Sequence, residues 1–154
     1  MATPNVYDMV LERSFDAPRE LVWKAWTDSE MLTQWWGPKN FTNPVLQANV
    51  REGGKIYIEM KAPDGTVYPM AGEYLALAPP ERLVFMSGAL DAHGRYMFEM
   101  INTVTFQAVG STTVMRLEVK VTATTPMAPQ HLQGMREGWS QSLDRLQALV
   151  EKSY

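Results

Sequence analysis

APQHLQGMREGWSQSLDRLQALVEK, residues 128–152, decides the fold. With each residue advancing a helix by about 100°, Leu132, Met135, Trp139, Leu143, Leu146 and Val150 fall in one narrow sector centred on Trp139. The spacing therefore predicts a single helix of about 37 Å with an apolar stripe along its whole length. Such a stripe needs an equally long apolar partner. Most of the remaining chain reads as strands, so that partner is a sheet.

Working outward from the helix, the clearest strand precedes it. Met115, Leu117, Val119 and Val121 alternate with Arg116, Glu118 and Lys120, which gives one dry and one wet face. Tyr96–Val109 alternates in the same way, with Met100, Asn102, Val104 and Phe106 in phase, and Gly110-Ser111 turns the chain. Arg82–Ser87 places Leu83 and Phe85 on one side, and Gly88–Tyr96 reads as a loop. Val67–Leu77 puts Tyr68, Met70, Gly72 and Tyr74 on one face. It returns through Pro63-Asp64-Gly65, a hairpin turn, from a strand in which Ile56, Ile58 and Met60 share a face. Pro44–Val50 and Val6–Ser14 supply two further strands. Between those two, Pro18 and Glu20 open a short helix over about Pro18–Thr27, Asp28 caps a second over about Ser29–Trp35, and Gly37-Pro38 stops it. The order predicts an α+β domain over 1–154: a curved antiparallel sheet of six or seven strands, two short helices and a long C-terminal helix on its apolar face.

Composition narrows the function. The 154 residues contain no Cys, which excludes thiol chemistry and cysteine-held metal. With 14 Lys+Arg against 17 Asp+Glu and no basic cluster, nucleic acid is not an expected partner. No segment approaches the roughly 20 apolar residues of a membrane span, and the N-terminus has neither a basic start nor an apolar run, so a cytoplasmic protein is the expectation. Eleven Met and five Trp suit either an adaptable cavity or a soft core.

Four stretches in order, DAPRELVWKAWTDSEMLTQWWGP at 16–38, REGGKIYIEMKAPDG at 51–65, PPERLVF at 79–85 and EGWSQSLDRL at 137–146, resemble the Hsp90 ATPase activator homologue-like family of the START-like, or SRPBCC, superfamily. The resemblance implies a helix-grip fold, in which the long helix lies across the sheet and encloses an apolar cavity. It leaves activity open, because one fold hosts many functions. The co-chaperone that names the family has a separate N-terminal domain for which this sequence leaves no room, so ligand binding is the leading expectation and a stress-related chaperone association the alternative.

The inward phase predicts that Met60, Tyr68, Met70, Tyr74, Phe85, Met100 and Asn102 line the concave face, opposite Met135 and Trp139 of the helix. Buried Asn102 must find a hydrogen-bond partner. Trp35 and Trp36 are adjacent, so one is expected in the core and the other at the cavity mouth. Gly134 and Gly138 lie roughly 100–140° from the stripe centre. They admit either close packing against a strand or a second copy of the chain, or space for a ligand. No catalytic triad, phosphate loop, dinucleotide fingerprint or metalloprotease motif occurs. His93 falls in a loop, His131 on the flank of the helix, and Glu59 and Glu99 in the solvent phase. The expected function is non-enzymatic binding of a small hydrophobic or aromatic molecule, without cofactor or metal. A cyclase or hydratase is the less favoured enzyme class, because the inward set contains only tyrosines as titratable groups.

Overall fold

The alternation read between residues 44 and 121 becomes one seven-stranded sheet in the computed structural model, which describes residues 8–125, 132 and 134–153. Its strands are β1 (Met9–Phe15), β2 (Thr42–Ala48), β3 (Lys55–Lys61), β4 (Val67–Ala78), β5 (Arg82–Ala89), β6 (Phe98–Val109) and β7 (Thr112–Thr124). All pairs are antiparallel, in the order β1-β7-β6-β5-β4-β3-β2. Helices α1 (Arg19–Thr27) and α2 (Ser29–Trp35) carry the chain from one edge strand to the other, and α3 (Met135–Ser153) follows β7. The α+β helix-grip architecture is the one expected.

The register shows why one face is dry. Met9, Val119, Asn102, Phe85 and Tyr74 stand in a row across five strands, and Leu117, Val104 and Leu83 in the next row toward the β6–β7 turn. Every one of these side chains is buried. That end of the concave face is filled by α1, where Trp23 meets Phe106 edge-on at 5.6 Å, and by the fully buried Leu143, Leu146 and Val150 of α3. The opposite end, toward the β3–β4 hairpin, holds Met60, Met70, Ser87 and Met100. A Cβ at Gly72 would lie 2.1 Å from the Met86 carbonyl oxygen, and one at Gly88 2.0 Å from that of Phe98, so the backbones approach where only glycine fits.

Several boundaries differ from the sequence reading. Strand β5 runs on to Ala89 and a Leu90–Tyr96 bridge follows, which shortens the expected 88–96 loop to the turn between them. There the Asp91 carboxylate accepts from the backbone N–H groups of His93 and Arg95 and closes the turn. Pro18 caps α1 from outside instead of opening it, with extended ψ 150°. Asp28 caps α2 as expected, its Oδ1 accepting from Glu30 N at 2.9 Å. Helix α3 is described as 19 residues, and the expected segment 128–131, with His131, lies outside the described residues, as do Val6 and Tyr7.

Candidate functional site

Helix α3 divides along its length. Leu143, Leu146 and Val150 are sealed, whereas Met135 and Trp139 one and two turns earlier are only partly buried. The space they leave is a cavity of about 210 Å³ between α3 and the sheet, walled by Trp36, Met60, Met70, Met100, Met135 and Trp139 and floored by Ser87 and Gly88. Outside it, a wider open cleft of about 830 Å³ shares Met60, Met70 and Phe98 and adds Phe41, Tyr57, Tyr68 and Asp91. The inner cavity is the candidate site, because it lies between α3 and the sheet, whereas the described lining of the outer cleft includes no residue of α3.

Aromatic packing sets its inner wall. Trp26 of α1 is 1% exposed and sits at the hub of the indoles, edge-on to Trp35 at 4.7 Å and stacked with Trp139 at 6.0 Å. Trp139 in turn meets Trp36 edge-on at 5.3 Å. Such pairs add about 0.5–1.5 kcal/mol beyond the area they bury. Trp26 is absent from the expected site set, although Val22, Ala25 and Trp26 recur at helical spacing and all three are buried.

Trp35 and Trp36 are both buried, with their rings 5.6 Å apart. Helix α2 ends at Trp35, and Trp36 keeps a φ of −64° while its ψ of 133° turns the chain that follows, so its ring stays on the same cluster. Trp35 is core, its Nε1 donating to the Ala25 carbonyl at 2.8 Å, and Trp36 is the one at the cavity. Tyr68 departs from expectation. It is 37% exposed, because the β3–β4 hairpin projects past the helix, and its ring rests on Phe41 at 6.0 Å in the outer cleft. Tyr74 and Phe85 lie behind the inner wall, facing Trp26 across a void of about 10 Å³. Burial pushes the Tyr74 hydroxyl up to about 12, so it stays neutral at ordinary pH.

Asn102 is fully buried and half satisfied. Its Nδ2 donates to the Phe85 carbonyl at 3.2 Å and to Ser87 Oγ at 2.8 Å, while its Oδ1 has no hydrogen-bond partner. Its contact with the cavity therefore runs through Ser87. Among the described residues of the inner lining there is no carboxylate, ammonium, guanidinium or imidazole. In the outer cleft the backbone N–H groups of Arg95 and His93 hold the Asp91 carboxyl below its ordinary range, which fits a turn-closing role.

The cavity's mouth is held by a contact that the sequence reading missed. Arg145 Nη1 donates to the carbonyls of Trp36, Gly37 and Pro38 at 3.0–3.1 Å, and Nη2 to that of Gln34 at 3.0 Å. Asn43 Nδ2 adds the carbonyls of Thr33 and Trp36 at 3.0 and 2.8 Å. Those of Thr33, Gln34 and Trp36 are carbonyls that the end of α2 leaves without helical partners. The two side chains together fix the Trp36-Gly37-Pro38 wall against α3.

Neither Gly134, just before α3, nor Gly138 within it is required by close packing. A Cβ at Gly134 would meet nothing within 4 Å, and one at Gly138 would touch only Pro38 at an ordinary 3.7 Å. Gly138→Ala is therefore expected to stabilise the fold by about 0.5–1 kcal/mol through helix propensity while narrowing the cavity. Urea unfolding of the variant reads the first effect, and weakened binding of an apolar probe reads the second.

Similarity to known proteins follows the same outline. A protein of Chromobacterium violaceum is 30% identical, with a TM-score of 0.81 over 94% of this chain and 97% of that one. A protein of Nitrosomonas europaea is 27% identical, with a TM-score of 0.80 over 97% and 99%. A solution structure from Arthrobacter aurescens is 25% identical, with a TM-score of 0.85 over 95% and 87%. No curated protein matches the chain. With the fold, the four stretches and a match over residues 16–151 in agreement, the chain belongs to the Activator of Hsp90 ATPase homolog 1-like protein family, in the START-like superfamily.

Proposed function

We propose that the protein is a non-enzymatic binding module, a single cytoplasmic domain over 1–154 that holds a small hydrophobic or aromatic molecule between sheet and helix. One observation carries this reading: the inner cavity is walled by two indoles and four methionines, with no ionisable side chain among the described residues of its lining. Apolar walls with a few placed polar groups are what a small-molecule site requires. Methionine, unbranched and polarisable, adapts its shape to a guest. Trp36, Met60, Met70, Met100, Met135 and Trp139 are the contact residues of this proposal. Asn102 supports them from behind, Tyr68 stands at the outer entrance, and Trp35, Tyr74 and Phe85 back the wall. Among the described residues no helix is long and apolar enough to cross a membrane.

Organic extraction of the purified protein, followed by titration with a neutral apolar fluorophore, tests the reading. Saturable binding with one equivalent supports it. An empty extract together with no saturable binding counts against it. The chaperone-associated alternative rests on the family's name, and stimulation of a chaperone ATPase by the added protein is the result that would favour it.

A further inference from the structure

Two hydroxyls enter this otherwise apolar cavity, one from each wall, and their hydrogen-bond states are opposite. Ser87, on β5, is 5% exposed and accepts from Asn102 Nδ2 at 2.8 Å. Its own proton has no acceptor among the described residues and is left to donate into the cavity. Ser142, on α3, is also 5% exposed, and its Oγ donates to the Gly138 carbonyl at 3.0 Å. With its proton engaged, only its lone pairs remain. Asn102 cannot reverse the first arrangement. Its Nδ2 is fixed as the donor because it also meets the Phe85 carbonyl, which accepts only.

We infer that the ligand is an uncharged aromatic molecule of one or two rings, carrying a hydrogen-bond acceptor that meets Ser87 and a donor that meets Ser142. This deepens the binding function proposed above and rests on it. Size supports it, since a dry cavity of about 150 Å³ takes a benzene ring and this one is about 210 Å³. Charge supports it as well. An ionised group would lose water and find no counter-ion among the described residues of the lining. The orientation follows from the polarity of the walls: acceptor toward the sheet, donor toward the helix. Asn102 is a positioning residue, which holds the Ser87 proton toward the guest.

Four probes separate the parts of the claim in calorimetric titrations of the full chain: naphthalene, 2-methoxynaphthalene, 6-methoxy-2-naphthol and 2-naphthoate. The expected order is 6-methoxy-2-naphthol tightest, with its acceptor and donor at opposite ends, 2-methoxynaphthalene next, then naphthalene, with 2-naphthoate weakest. Ser87→Ala is expected to weaken 2-methoxynaphthalene and 6-methoxy-2-naphthol by roughly 3- to 10-fold, and Ser142→Ala to weaken 6-methoxy-2-naphthol alone by a similar factor. Naphthalene should stay within about twofold in both variants, which also shows that they fold. If naphthalene binds but 6-methoxy-2-naphthol is no tighter, or a variant leaves every probe unchanged, the role given to that hydroxyl is overturned while the apolar cavity stands. Tighter binding of 2-naphthoate overturns the uncharged assignment. If no probe binds at all, the binding function itself fails.

Discussion

Trp26→Ala is expected to lower the free energy of unfolding by about 3–5 kcal/mol, as large-to-small changes at buried aromatics do. The indole is 1% exposed and touches Trp35, Phe85, Phe106 and Trp139, so its removal opens a hole at the one point where α1, α2, α3 and the sheet converge. Its Nε1 is buried without a hydrogen-bond partner among the described residues, whereas that of Trp35 is paired with the Ala25 carbonyl. Trp26→Phe should therefore cost less than Trp35→Phe, because only the second change deprives a buried carbonyl of its donor. Urea titrations followed by circular dichroism check both statements. A loss below about 1.5 kcal/mol for Trp26→Ala, or the reverse order for the two Phe variants, would contradict the hub role. Trp139→Ala, at a partly buried position on the cavity, should be milder than Trp26→Ala.

The second large effect is expected at Arg145. Its guanidinium makes four hydrogen bonds to backbone carbonyls and meets no carboxylate, and burial lowers its pKa from the ordinary value. Arg145→Ala should cost about 2–4 kcal/mol, since hydrogen bonds from a charged donor are worth more than neutral ones and four carbonyls lose that donor together, of which Trp36 keeps Asn43 and Pro38 keeps the Phe41 N–H. Arg145→Lys should recover only part of this loss, because an ammonium has three donors on one centre and cannot span the fork. Loss of the clamp should also loosen Trp36 and Pro38 and weaken apolar-probe binding. Full stability in Arg145→Lys would show that charge alone suffices and that the fork does not matter.

Much of the fold was legible because it depends on periodicity. Alternation in β6 and β7 predicted which side chains are buried, from Met100 to Phe106 and from Met115 to Val119. Asp28 was readable as a cap, since the acceptor it supplies acts on residues two and three positions on. The site was less legible, for physical reasons that differ from residue to residue. Tyr68 has the right phase for the concave face, yet phase does not tell where the helix stops covering the sheet. Trp36 follows a helix end, and apolar spacing does not encode which of two adjacent indoles reaches the cavity. Arg145 and Asn43 act on carbonyls far away in sequence or across a turn, and nothing in their own neighbourhood marks them. Gly134 and Gly138 were visible as anomalies, and only the structure shows that close packing requires neither. Helix α3 is accordingly a core strut in its C-terminal half and a cavity wall in its N-terminal half.

The central claim, that a guest sits between α3 and the hairpin end of the sheet, is most directly tested by methyl NMR of the methionines during titration with naphthalene. Met60, Met70, Met100 and Met135 line the cavity, while Met9 and Met115 are buried on strands β1 and β7 outside its lining. The account predicts saturable ring-current shifts at the first four methyls and none at Met9 and Met115. Saturable shifts at Met9 or Met115 with the four unmoved, or no saturable shift anywhere, would contradict it.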